Sequence, residues 1–193
     1  MRVLLVDHED SFVHNIAQAL AGRGASVRCV RPRTPVRSVL AYDPDAIVLS
    51  PGPGHPSDRR LTGLSRSLLH RWSSERPFLG VCLGHQLVAE VHGARIVRAE
   101  APVHGERTRI RHDGTRLFEG VRSPTLVARY HSLVVDPRSV PSDLEVSAWG
   151  EGDVVMGLRH RTHPLQSVQF HPESYLTPEG PRLFDNFLRE ARR

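Results

Sequence analysis

The stretch P-F-L-G-V-C-L-G-H-Q, residues 77 to 86, restricts the fold more than any other part of the chain. An apolar run of strand length stops on Gly80, Cys82 and Gly84, and a helical pattern, HQLVAEVHG (85 to 93), follows at once. The spacing G-x-C-x-G is that of a nucleophile elbow, where a sharp strand-to-helix turn lifts one side chain into the open. Residues two before and two after the nucleophile crowd together in such a turn and must be small, a need Gly80 and Gly84 meet. A structural cysteine needs no such flanks. The helix that follows aims its amino end at the sulfur, which favours the thiolate. The N–H of Leu83, the next residue, is placed to donate to an oxyanion.

The rest of the chain repeats the strand-and-helix rhythm. RVLLVD (2 to 7) and DAIVLS (45 to 50) are continuous apolar runs, the mark of strands buried on both faces. ASVRCV (25 to 30) reads as a further strand. DSFVHNIAQALAGRG (10 to 24) is helical, with Phe12, Ile16, Ala19 and Leu20 on one face, Asp10 or Ser11 at its start and Gly22 or Gly24 at its end. LTGLSRSLLHRW (61 to 72) has helical period. Strand, helix, strand implies right-handed parallel crossovers.

From residue 94 the texture changes. ARIVRA, TLVARY, LEVSAW, VVMGLRH and LQSVQF are short strands separated by turn signals such as HDG, DPRS and GEGD. TPEGPRLFDNFLREARR (177 to 193) closes the chain as a helix, with Leu183, Phe184, Phe187 and Leu188 inward. The predicted class is α/β: a mostly parallel central sheet flanked by helices, with an additional smaller antiparallel sheet region, in a single domain over 1 to 193. In such sheets the active crevice lies beyond the carboxyl ends of the strands. The SPGPGHP loop (50 to 56) and Cys82 therefore face one crevice.

Composition removes several classes of function. The net charge is +5, yet all 26 basic residues are arginine, and they are scattered, often beside acids. A nucleic-acid surface would gather them in a stripe with interleaved aromatics. No apolar run reaches membrane-span length, and Met1 leads into a strand instead of a signal peptide, so a cytoplasmic protein without membrane contact is expected. Cys29 and Cys82 are both expected free. Among twelve histidines, His160 and His163 lie three apart and His85 and His92 seven apart, but neither pair carries a spaced cysteine or carboxylate set. No metal is expected.

A cysteine nucleophile needs a base, and the base an orienter. QFHPES (169 to 174) offers both. In extended chain residues two apart project to one side, so Glu173 can hold the tautomer of His171, giving a triad of Cys82, His171 and Glu173. Glycine N–H groups in SPGPG can approach a carboxylate or an oxyanion closely. Gln86, one helical turn from Cys82, projects to the same face.

SPGPG, GVCLGHQ and FHPES, in this order, resemble the triad-type class I glutamine amidotransferases. DHEDSF (7 to 12), VHGERTRIRHDGT (103 to 115) and RYHSLVV (129 to 135) narrow the resemblance to the small glutaminase subunit of anthranilate and aminodeoxychorismate synthases. It runs over essentially the whole chain. It implies a glutaminase that releases ammonia from L-glutamine and feeds it to a separate chorismate-using synthase. It also implies an oxyanion hole from Gly52 and Leu83, and a glutamine site from Gly52, Pro53, Gly54, Gln86, Ser132 and Leu133. No cofactor is implied in this chain; the synthase partner of the family uses magnesium.

Two segments depart from the family. Asp7, His8, Glu9, Asp10, Ser11 and Phe12 stand where Asp-Asn-Tyr-Asp-Ser-Phe is common, and His104, Gly105 and Glu106 where His-Gly-Lys is usual. Both departures are expected to lie toward the partner, and the reversed charge at Glu106 calls for a compensating arginine on the synthase. Four other readings compete: a glutaminase for a different aminated chorismate in secondary metabolism, the ammonia-supplying part of guanylate, cytidylate or carbamoyl-phosphate synthesis, which RYHSLVV disfavours, a Cys-triad hydrolase unrelated to glutamine, and a non-catalytic scaffold. PGPG and Gln86 disfavour the hydrolase, and the intact triad disfavours the scaffold.

Overall fold

The computed structural model describes residues 1 to 192; the side chains of residues 101 to 104, His104 among them, lie outside the described residues. Three runs read as buried strands become β1 (Arg2–Val6), β3 (Ala46–Leu49) and β4 (Phe78–Val81), while LQSVQF, read among the antiparallel strands, becomes β9 (Leu165–Val168) and pairs parallel with β4. β2 (Ser26–Val30) pairs with β1 at the edge and is largely exposed, Cys29 included. These five strands run parallel in the order β2-β1-β3-β4-β9. The order reverses beside β1, which is where open α/β sheets hold their crevice.

Alternate side chains of these strands feed two cores, as period two requires. Val3, Leu5, Val48 and Val81 pack with α1 (Val13–Ala21) and α5 (Gly180–Glu190), where Leu183, Phe184, Phe187 and Leu188 are buried as predicted. Leu4, Val6, Ile47, Leu49 and Phe78 pack against α3 (Arg59–Trp72) and α4 (Leu83–Val91) on the other face. Between β2 and β3 lies a helix the sequence reading lacks, α2 (Val36–Tyr42). Prolines bracket it and only Val39 is buried, so it has no apolar stripe to read.

The antiparallel part continues the same sheet. β8 (Val155–His160) pairs with β9, and β7 (Leu144–Trp149) with β8. β5 (Ile96–His112) and β6 (Thr125–Val135) form a long hairpin that pairs with β7 through Arg111 and His112. ARIVRA is thus the beginning of a 17-residue strand. The arginines are dispersed among acids, as expected: Arg2 reaches Asp43 and Asp45, and Arg159 pairs with Asp113 and Glu145.

Candidate active site

Four loops leave the carboxyl ends of parallel strands on one edge of the sheet: Asp7–His8 after β1, Ser50–Gly54 after β3, Cys82 after β4 and Gln169–Glu173 after β9. Cys82 has φ 51° and ψ −100°, a strained conformation for a residue with a side chain. The turn is as crowded as predicted. A Cβ on Gly80 would stand 2.7 Å from Gly84 O, and one on Gly84 would stand 2.3 Å from Leu49 O. Helix α4 starts at Leu83, two residues earlier than its pattern indicated, so the sulfur sits at the helix's first turn. As first residue of α4, Leu83 has an N–H with no intrahelical acceptor. Cys82 is free and 7% exposed.

His171 and Glu173 are brought together as their spacing requires. His171 Nδ1 lies 2.6 Å from Glu173 Oε1, and both side chains are buried. The carboxylate can only accept, so the proton sits on Nδ1 and Nε2 is left to work. Nε2 is buried without a hydrogen-bond partner of ordinary geometry. Burial alone would push the imidazole down, but interaction with Cys82 and with Glu173 lifts it to about 10. The charged imidazolium is thus favoured here by the sulfur and the carboxylate together. Phe12 and Tyr130 set their rings edge-on to His171 at centroid distances of 5.4 and 5.0 Å, fixing its plane.

Two supports of this pair were not read from the sequence. A Cβ on Gly180, at the start of α5, would lie 1.9 Å from Pro172 O, so only glycine lets α5 press on the His171–Glu173 segment. Thr177 donates its hydroxyl to His171 O and accepts the N–H of Ala128, tying that segment to β6.

The SPGPG loop lies against the elbow, and His8 supports it. This corrects the expectation that His8 faces a partner. His8 is fully buried; its backbone N–H donates to Ser50 Oγ, Nδ1 meets Ser50 O at 2.9 Å and Nε2 meets Ser65 Oγ at 2.8 Å. Burial holds its pKa below the ordinary histidine value, so it is neutral. A Cβ on Gly52 would come within 2.6 Å of both His8 Cβ and Leu83 Cδ2, so the loop backbone lies directly against the elbow. Glu9, by contrast, is exposed at φ 68°.

Gly54, His55, Ser132 and Leu133 line a cavity of about 710 Å³ at this edge. Pro53 is exposed beside it. Gln86 sits between cavity and elbow: its Nε2 donates to Leu133 O (3.1 Å) and to Gln169 Oε1 (3.2 Å). Gln169 Nε2 in turn donates to Cys82 Sγ at 3.7 Å. Gln169, unremarked in the sequence, completes the link between cavity and nucleophile.

Of the spaced histidines, His160 and His163 do come together, and His92 joins them from the end of α4. His92 and His160 come together with Asp143, a carboxylate the spacing gave no hint of, and His163 stacks on His160 at 3.7 Å. His160 Nδ1 accepts the N–H groups of Thr162 and His163 (3.2 and 3.0 Å). In the neutral ring the proton is then on Nε2, the nitrogen a cation in this cluster would need. Metal-ligating histidines have the reverse arrangement, donating their outer N–H. The cluster does not fit a metal.

Known proteins match over the whole length. The chain is 46% identical to anthranilate synthase component 2 of Thermus thermophilus over 98% of this chain and 93% of that protein. It is 42% identical to aminodeoxychorismate synthase component 2 of Escherichia coli over 96% and 98%. Among solved structures, a GMP synthase protein of Thermoplasma acidophilum, described as putative, superposes with TM-score 0.90 at 25% identity, covering 100% of this chain and 94% of that one. The model for "Glutamine amidotransferase class-I" matches residues 4 to 191. With the strained cysteine, its histidine–glutamate pair and a full-length family match in place, the chain belongs to the class I glutamine amidotransferases.

Proposed function

We propose that this chain is the glutaminase subunit of a chorismate-using synthase, with Cys82 as nucleophile, His171 as acid and base and Glu173 as its orienter. The observation that carries the reading is a strained cysteine between β4 and α4, coupled to a buried imidazole whose other nitrogen is held by Glu173. The thiolate attacks the side-chain amide carbon of L-glutamine. The carbonyl oxygen becomes an oxyanion held by the N–H groups of Gly52 and Leu83. His171 Nε2 gives its proton to the leaving nitrogen, ammonia departs, and a glutamyl thioester remains. Water, deprotonated by the now neutral His171, hydrolyses it to glutamate and restores the pair of thiolate and imidazolium.

Gly52, Pro53, Gly54, Ser132 and Leu133 form the glutamine site, with Gln86 at its inner end. Both Gln86 amide hydrogens are used internally, so it offers substrate only an acceptor, Oε1. That atom suits the carboxamide NH₂ or ammonium of glutamine. Relatives named for anthranilate and for aminodeoxychorismate synthesis support a separate synthase that uses chorismate and receives the ammonia.

The test uses the protein recovered with its natural partner, supplied with chorismate, magnesium and glutamine carrying heavy nitrogen on the side-chain amide. Label in anthranilate or in an aminated chorismate is the expected result. Labelled ammonia with chorismate untouched would overturn the choice of partner while leaving the glutaminase chemistry. No glutamine turnover in the complex would overturn both.

A further inference from the structure

Gln169 lies outside the triad and outside the loops that line the cavity, yet it touches the sulfur. It is fully buried, and its backbone N–H is fixed on Met156 O. A buried carboxamide costs free energy unless its donors and acceptors find partners. Its Oε1 has Gln86 Nε2 at 3.2 Å, and the partner of its Nε2 is Cys82 Sγ at 3.7 Å.

The direction of every bond in this chain of contacts is determined by its ends. Leu133 O is a backbone carbonyl and can only accept, so Gln86 must turn its NH₂ toward it. Gln86 then has its second N–H for Gln169, which must present Oε1 to receive it and Nε2 to the sulfur. The outer end is held in the same way. Arg129 Nε donates to His131 Nε2 at 3.0 Å, and a guanidinium has no acceptor role, so His131 carries its proton on Nδ1, 3.1 Å from Leu133 O. A flip of either carboxamide alone would set like groups against each other.

The consequence falls on the nucleophile. A neutral thiol is a weak acceptor, whereas a thiolate accepts charge-assisted hydrogen bonds. Gln86, by donating into Gln169 Oε1, polarises the opposite N–H of that carboxamide toward the sulfur. We propose that Gln169 is a positioning residue that stabilises and aims the Cys82 thiolate, and that it is aligned for this by Gln86 from the glutamine site. The inference deepens the glutaminase reading and rests on it for the role of Cys82, but it does not depend on which synthase receives the ammonia.

The test combines Gln169→Leu, which keeps the volume and removes the donor, with Gln169→Glu, which keeps the shape and puts an acceptor against the sulfur. The first readout is the pH dependence of Cys82 alkylation by iodoacetamide, followed by peptide mapping so that the exposed Cys29 is counted separately. Loss of one hydrogen bond to a charged group should move the titration of Cys82 upward by about one pH unit in Gln169→Leu, and further in Gln169→Glu. The second readout is steady-state turnover in the complex, where kcat should fall about tenfold or more while the KM for glutamine moves much less. A role in packing alone would lower the melting temperature and leave the alkylation profile in place. Either variant folded, with wild-type alkylation titration and kcat, overturns the proposal. If Gln169→Leu does not fold, the isosteric Gln169→Glu decides alone. Because alkylation needs neither chorismate nor synthase, failure of the partner assignment leaves a shifted profile intact and is told apart from failure here.

Discussion

On the nucleophile side of the site the turn itself is set mostly by neighbours in sequence, whereas the base is held mostly from afar. Cys82 is forced into its strained turn by Gly80 and Gly84, two residues away on either side, and by the strand and helix they join. His171 and Glu173 find each other locally too, but what holds them comes from afar: Gly180 of α5, Thr177, Phe12 from the start of α1 and Tyr130 from β6. The turn that presents the nucleophile is thus built by backbone, with Gln169 as its side-chain support from afar, and the base is held by packing. Backbone strain at the elbow is maintained by a full sheet on both sides, whereas the base depends on contacts that single substitutions can loosen.

The largest expected effect is at the cysteine. Cys82→Ala should reduce glutamine-dependent turnover by on the order of 10⁴-fold or more, while ammonia-supported synthesis by the partner stays within about twofold. Loss of both would mean that this chain supports the synthase structurally and that nucleophile and acceptor site are not separate.

Next comes Gly180→Ala, which tests the base side without touching a reacting group. Its Cβ would sit 1.9 Å from Pro172 O, and backbone has no flexible end to move aside. The substitution should cost about 2–3 kcal/mol of stability and, by displacing His171, about 10²-fold in kcat. Gly63→Ala, inside α3 with nothing within 4 Å, is the matched control and should be neutral to stabilising by up to about 1 kcal/mol. Thermal melts and kcat on both variants settle it; wild-type values for Gly180→Ala would show that the α5 contact does not hold the base.

This asymmetry also explains what could be read from the sequence. The elbow, the first four parallel strands and the His171–Glu173 pair were legible because each is a short-range pattern of spacing, whereas the parallel pairing of β9 with β4 was not. Gln169, Gly180 and the burial of His8 were not, because each depends on a partner from 8 to 87 positions away. The length of β5 was hidden for a different reason: GERTRIRH is charged and mostly exposed, so it shows no apolar alternation, and its pairing to β6 carries the strand. α2 was hidden by its prolines and its single buried side chain.

A smaller, pH-dependent effect separates the two sides by charge. His171 is raised from 6.5 to about 10 despite its burial, through Cys82 and Glu173. A group whose folded pKa is raised binds its proton more tightly in the native state, so it stabilises fully below the unfolded value and loses that contribution as pH climbs to the folded one. The window is therefore about 6.5 to about 10. Urea midpoints of the wild type should decline across it more steeply than those of Glu173→Gln, in which the imidazole loses its anionic partner. Parallel slopes would mean that His171 is neutral in the folded protein and that the ion pair forms only with substrate.

The smallest effect concerns Glu106, where the reversed charge invited a search for an arginine on the synthase. Within the chain, Arg129 stands opposite it on β6. Arg129, buried on the facing strand, is pressed down in pKa by desolvation, and Glu106 with Glu151 offsets this by their charge. Glu106 is exposed, so its influence is screened. Glu106→Lys should therefore lower the melting temperature of the isolated chain by only about 1–2 °C, less at high salt. Its informative readout lies elsewhere. Arg129 anchors His131, and through it the carbonyl on which Gln86 is aligned, so a cation introduced opposite Arg129 should disturb glutamine binding before it disturbs stability. A raised KM for glutamine with unchanged partner affinity would place the compensation inside this chain. Weakened partner affinity with unchanged KM would return it to the synthase.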